Sequence, residues 1–257
     1  MSYTPMQVIS TQPGVAPPPG MPNWIQAPQS MPGVPMGLEY LTLLDCVIVH
    51  QKKELMEIVS DFEMNNRYVL KNAAGQQAYF ALEESGCCER QFCGPRRGFT
   101  IHIVDNFQKE VLTVRRDFKC LSSTYCAMCM CCKTECTITS PSTGVVGSAR
   151  QSFGCCSVNL DILDANGDAI FKIEGPCCLT LISCSDKEFP IKTMDGVIVG
   201  AITQKWGGCC KEAFTDADTF QVTFPLDLDV KMKAVLLGAT FLIDFLQFEE
   251  PKHNNNN

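Results

Sequence analysis

KMKAVLLGATFLIDFLQF, residues 231–248, is the most apolar run in the chain and lies a few residues from its end. Its reading decides the fold, because such a run is either a membrane span or a helix enclosed by protein. As an α-helix, the fifteen residues 234–248 extend roughly 22 Å, against a hydrocarbon core about 30 Å thick. Asp244 lies inside the run, and a carboxylate at the centre of a bilayer costs roughly 2.5–3.5 kcal/mol on insertion scales. A helix that is apolar all round also fits a site walled by protein on every side.

The preceding residues supply such a site. After residue 38 one pattern recurs, in which an alternating run, a polar turn and a second alternating run follow one another. RYVLKNAAGQQAYFALEE turns at residues 72–75, and FTIHIVDNFQKEVLTVRR turns at 105–109. VNLDILDANGDAIFKIEG turns at Asn166 and Gly167, and FPIKTMDGVIVGAITQKW at Asp195 and Gly196. Asn-Gly and Asp-Gly supply the positive φ of a two-residue hairpin turn. A further strand is expected from Cys46 to His50. The whole predicts an all-β, mostly antiparallel domain over about residues 39–230. Closure into a barrel removes the exposed edges of so long an array, and the apolar helix then has a lumen to fill.

Residues 1–38 are a different material, with no charged residue and nine of the chain's fifteen prolines. They read as an extended, disordered leader, partly polyproline II, with one PxxP frame from Pro19 to Pro22 that an SH3 or WW module could read. Residues 39–250 form the expected domain and 251–257 a polar tail. The formal charge of −7, with no Lys/Arg block, gives no footprint for nucleic acid and no broad basic membrane patch. The N-terminus shows no basic region followed by an apolar core, so no secretory signal is expected.

Seventeen cysteines in a chain of 257 residues do not fit the short secreted disulfide scaffold. Five adjacent Cys-Cys pairs also suit staples poorly, since neighbouring side chains on a strand face opposite ways. Reduced thiols are expected. In CAMCMCCKTEC, residues 126–136, five thiols in eleven residues admit three readings: buried small hydrophobes, S-acylation sites, or half of a zinc knuckle through Cys126 and Cys129.

DADTFQVTFPLD, residues 216–227, sets carboxylates at positions 1, 3 and 12 of a twelve-residue window, as in an EF-hand loop. Phe220 offers only a backbone carbonyl, and Gln221 stands where such a loop has glycine. An acidic strand end without metal reads equally well there, because FQVTF alternates. No phosphate-cradling Gly-rich loop or nucleophile elbow is present, and the three histidines, His50, His102 and His253, form no motif, so conventional catalysis is not expected.

Together these residues resemble the phospholipid scramblase family. The resemblance begins at NWIQAPQ and GLEYL and continues through FEMNNRYVLKNAAGQQAYFALEES and CCERQFCGPRRGFTIHIVDN. It is densest in EAFTDADTFQVTFPLDLDVKMKAVLLGATFLIDF. What it implies is a tubby-like closed antiparallel barrel of about twelve strands around a hydrophobic C-terminal helix. It further implies attachment to the cytosolic face of the plasma membrane and calcium-stimulated, ATP-independent, bidirectional movement of phospholipids between leaflets. The resemblance places the calcium segment on Asp216, Asp218, Phe220, Val222 and Asp227, and palmitoylation on Cys126, Cys129, Cys131 and Cys132. A calcium-dependent homo-oligomer belongs to the same expectation. The alternative is an acylated module that binds lipid or protein without transporting lipid. The family's nuclear-import stretch corresponds to GAITQKWGG, where Lys205 is the sole charge.

Overall fold

A computed structural model describes residues 23–26, 28–52, 66–84, 97–118, 134–154, 157–177, 184–206 and 218–248. Alternation of apolar and polar residues makes twelve strands of the described residues: β1 (Cys46–Lys52), β2 (Arg67–Lys71), β3 (Gln77–Glu84), β4 (Phe99–Val104), β5 (Glu110–Arg116) and β6 (Glu135–Ser140), then β7 (Gly144–Ser152), β8 (Asn159–Asp164), β9 (Ala169–Glu174), β10 (Lys187–Thr193), β11 (Ile198–Lys205) and β12 (Thr219–Thr223). Every strand pairs antiparallel with its sequence neighbours, and β12 pairs back to β1, so the sheet closes. One α-helix, α1 (Val230–Gln247), follows β12. The expected closed barrel around the apolar helix is therefore what the chain forms.

The hairpins are not the two-residue turns expected at Asn166-Gly167 and Asp195-Gly196. Gly167 N–H donates to the Asp164 carbonyl and Asp164 N–H to the Asp168 carbonyl, and of the turn residues only Gly167 has positive φ. The turn at 193–197 repeats this with Gly196. That is a type I turn followed by one left-handed residue, which inserts a bulge, and the register indeed shifts between Ile162 and Leu163 and between Ile191 and Lys192. The sequence reading also missed the β6–β7 hairpin, whose turn SPSTG carries no Asn-Gly or Asp-Gly signal.

Alternate strand residues point inward and meet α1. Val235, Leu236, Leu237, Phe241, Leu242, Ile243 and Phe245 are each at most 1% exposed. Burying seven such side chains is worth about 10–20 kcal/mol as an upper bound. The helix lies nearest β6, β7 and β8, where glycines let the backbones approach. A Cβ on Gly147 would stand 2.7 Å from Val235 Cγ2, and one on Gly238 would stand 2.5 Å from Ile138 Cγ1. Aromatic rings fill the rest of the lumen: Tyr68 meets Phe241 edge-on at 5.0 Å, and Phe220 meets Phe248 at 5.6 Å. Asp244, the residue that spoke against a bilayer, is buried and accepts a hydrogen bond of 2.7 Å from Tyr68 Oη. Among the described residues no helix is long and apolar enough to cross a membrane.

Strand parity sorts the two ends of the barrel. The hairpins β2–β3, β4–β5, β6–β7, β8–β9 and β10–β11 and the β12–α1 link all turn at one end, here the hairpin end. The other connections all leave and return at the opposite end. A short 3-10 helix, Glu39–Leu43, caps the hairpin end, with Leu38 and Leu41 fully buried beneath it. Earlier residues of the proline-rich segment join it: Trp24 bridges to Gln77, and Ile25 N–H donates to the Gln77 carbonyl at 2.8 Å.

Candidate functional site

The start of α1 builds the most elaborate polar arrangement at the hairpin end. Asp229 caps the helix, its Oδ1 accepting from the N–H groups of Lys231 at 2.8 Å and Met232 at 3.3 Å. One turn on, Lys233 is fully buried, and its Nζ donates to the carbonyls of Leu41, Leu44 and Leu226 at 2.9, 2.7 and 2.7 Å. Its ammonium also sits 5.1 Å from the centre of the Phe224 ring. Desolvation pulls the Lys233 pKa below the ordinary lysine value, while Asp45 and Asp227 oppose that shift. One cation thus ties the capping segment, the β12–α1 link and the central helix together.

At the opposite end, charge is buried beside the last turn of α1. Arg97 Nη2 donates to Glu83 Oε1 at 2.7 Å, with both side chains almost fully enclosed. The Arg97 guanidinium lies 4.8 Å from the Phe245 ring, Phe245 stacks on Phe99 at 4.1 Å, and the Arg116 guanidinium lies 5.7 Å from Phe99. Two cations and two rings thereby close this end next to the helix C-terminus, whose dipole favours positive charge.

Of the residues expected to hold calcium, those described are not brought together. Asp216 lies outside the described residues. Asp218 stands at the start of β12, where its Oδ1 accepts from Gln204 Nε2 at 3.1 Å and its carbonyl from Gln51 N–H at 2.9 Å. Phe220 and Val222 point into the core, and β12 is laddered on both edges by β1 and β11, which occupies their carbonyls. Asp227 lies beyond the far end of the strand, and the strand's rise alone puts roughly 16 Å between Asp218 and Thr223. Gln221, which takes the place of the loop glycine, sits mid-strand and donates to Cys46 Sγ at 3.6 Å. As arranged, the described members of this set do not fit one calcium ion, and among the described residues no group of three His, Cys, Asp or Glu side chains is placed to hold a metal.

Cys126, Cys129, Cys131 and Cys132 lie outside the described residues; the chain that carries them leaves at β5 and returns at β6, at the end opposite the hairpins. Four cysteines are described, all as free thiols. Cys46 and Cys136 are buried, and burial pushes the Cys136 thiol up to about 12, which makes it an inert hydrophobe. Cys177 and Cys184 are exposed.

The sequence reading missed one constellation. His102, on the outer face of β4, has Nε2 3.0 Å from Glu84 Oε2 and Nδ1 3.2 Å from Glu110 Oε1. Partial desolvation lowers its pKa, but hydrogen bonds and charge from Glu84 and Glu110 outweigh this and the net shift is upward. The three residues meet across β3, β4 and β5, so only the register could have revealed them.

Among the described residues the chain is a closed barrel with a helix for a core and different chemistry at its two ends. Residues 25–250 match the scramblase family. The chain is 45% identical to human phospholipid scramblase 1 over 227 residues, covering 88% of this chain and 70% of that protein. It is 44% identical to bovine phospholipid scramblase 2 over 235 residues, covering 90% and 78%, and 42% identical to the human form over 246 residues, covering 95% and 80%. No solved structure matches the chain. The chain belongs to the scramblase family.

Proposed function

We propose that this protein is a membrane-associated phospholipid scramblase that moves phospholipids in both directions between leaflets, without ATP and under calcium stimulation. The observation that carries the reading is the likeness to phospholipid scramblases along most of the chain. The lack of a phosphate-cradling loop in the sequence supports independence from ATP. Palmitoyl chains on Cys126, Cys129, Cys131 and Cys132 would supply the two or more lipid signals that stable anchoring needs, at the cytosolic face of the plasma membrane. Calcium stimulation rests on the resemblance of residues 216–227 alone. Because Asp218 and Asp227 stand at opposite ends of β12, holding both on one ion requires that strand to leave its ladders. Calcium-dependent self-association, and SH3 or WW partners on the proline-rich leader, complete the proposal.

A filled lumen favours a second reading. With α1 in place the lumen lined by the described residues is filled with apolar side chains and leaves no polar path for a headgroup among them, which suits an acylated module that binds lipid or protein and transports neither. Proteoliposomes carrying a fluorescent phospholipid in both leaflets separate the two. Quenching from outside is expected to reach the inner leaflet faster with purified protein, and faster again with calcium, than in empty vesicles. No acceleration by the protein alone leaves the module reading. An Asp216→Ala protein that responds to calcium like its parent removes the calcium role of that segment.

A further inference from the structure

We propose that the hairpin end of the barrel is a lipid-contacting surface, which inserts an arc of apolar tips among zwitterionic phospholipid headgroups. This rests on the reading above that the protein works on phospholipid. Phe107, Val197, Ile198, Leu226 and Leu43 are between 58% and 73% exposed, and all five belong to turns or caps at that end. Contacts join their segments side by side. Lys233 binds the carbonyls of Leu44 and Leu226, which sets the Leu43 and Leu226 segments against each other. A Cβ on Gly200 would meet the backbone of Thr223 and Phe224, which places the start of β11, with Ile198, beside the link that carries Leu226. Tyr40 Oη donates to Asn106 Oδ1 at 3.2 Å, so the cap also borders the turn that carries Phe107.

The arc runs from the β10–β11 turn over the β12–α1 link and the cap to the β4–β5 turn. The polar turn NAAGQ of β2–β3 lies within this span, between β1 and the β4–β5 turn, where the cap reaches past it through the Tyr40–Asn106 contact, and DANGD lies on the far side of the rim. The opposite end presents scattered apolar exposure at Phe118, Phe153 and Trp206 among the described residues, and the eight residues from Phe118 to Cys126, with a reach of roughly 26 Å, are enough chain for acyl groups on that connection to enter the same membrane.

A bilayer surface suits this arc better than a protein partner does. The tips are carried by four separate segments along one rim, the β10–β11 turn with the first residue of β11, the β12–α1 link, the cap and the β4–β5 turn, a spread-out arrangement that a bilayer face can meet together. An interface takes up such tips to about 5–10 Å while polar groups between them stay among the headgroups. Contiguous apolar exposure of this kind marks an interaction surface. The apolar helix α1 is consumed in the lumen and cannot serve as the contact. Exposed carboxylates of Asp45, Asp195, Asp227 and Asp229 outnumber the exposed ammonium groups of Lys109 and Lys231 along this arc, and this balance favours a zwitterionic over an anionic surface.

The test uses the full chain produced without acylation, sedimented with phosphatidylcholine vesicles. The parent should pellet with the vesicles. The doubly changed Ile198→Glu/Leu226→Glu protein should partition at least tenfold less, and Phe153→Glu/Trp206→Glu at the other end should behave as the parent. As a second measurement, brominated phosphatidylcholine should quench the indole of Phe107→Trp beyond the background of Trp24 and Trp206. The proposal is overturned by a parent that stays in the supernatant, by undiminished partition of the Ile198/Leu226 protein, by loss in the Phe153/Trp206 protein instead, or by an indole beyond reach of the bromines. Partition confined to phosphatidylserine with calcium overturns the zwitterionic assignment. Lipid exchange between leaflets is read in a separate assay, so a chain that binds through this rim and exchanges nothing removes the scrambling reading and leaves the surface standing.

Discussion

His102 lies between two carboxylates on the outside of the barrel, with Glu84 on one ring nitrogen and Glu110 on the other. Its pKa is raised in the folded protein, so the folded state holds the imidazolium more tightly than the unfolded chain does. The stabilisation is therefore complete below the ordinary imidazole value of about 6.5 and is lost as pH rises through the raised folded value. Urea midpoints measured from pH 6 to 9 should fall with pH in the parent and fall less in His102→Gln. Parallel curves would show that the two carboxylates give the ring nothing. At the same scale, Asp244 shows why a residue type alone does not settle its surroundings. A carboxylate in an apolar run spoke against lipid, and Tyr68 Oη at 2.7 Å shows what the run meets instead.

Among the elements, α1 illustrates how an all-round apolar helix is seated. Its position against β6–β8 depends on Gly238 facing Ile138 and Gly147 facing Val235. In an exposed helix Gly→Ala gains up to about 1 kcal/mol, but a methyl 2.5 Å from Ile138 Cγ1 has no room. Gly238→Ala is expected to lower stability by about 1–2 kcal/mol, the usual range for overpacking. The Gly238→Ala/Ile138→Ala pair should lose less than the sum of its two single changes, because the second change removes the atoms in the way. Denaturant titration of all four proteins gives the answer, and strict additivity would place the strain elsewhere. β12 makes a related point. FQVTF alternates, and its membership of the sheet, laddered on both edges, is what keeps Asp218 and Asp227 from a common ion.

On the scale of the whole molecule, Lys233 is where cap, link and core meet. Lys233→Met keeps most of the aliphatic volume but withdraws a charged donor from the carbonyls of Leu41, Leu44 and Leu226. A loss of about 2–4 kcal/mol is expected, since each deprived carbonyl must find water or remain unsatisfied. Amide exchange should quicken at Leu41 and Leu44 before the strands respond, because their N–H groups donate within the cap to the carbonyls of Leu38 and Leu41. Unchanged exchange there would mean that the cap is held by its buried leucines alone.

The sequence by itself determined the parts that depend on neighbours in the chain. Alternation is a period-2 signal carried by each strand separately, so nearly all the hairpins, the strand from Cys46 and the apolar run could be read before any contact was known. The β6–β7 hairpin escaped because its turn lacks an Asn-Gly or Asp-Gly pair, and the turn lengths were misjudged because the bulge is fixed by pairing as well as by turn residues. Tertiary structure alone decided what the apolar run encloses itself in, since β1 must find β12 before a lumen exists. It also decided that Tyr68 meets Asp244 across 176 residues and that His102 gathers two glutamates. Such contacts follow from strand order and register around a closed sheet, and no local propensity encodes them. The same closure separates the ends of the segment read as a calcium loop and gathers scattered apolar turn residues onto one rim.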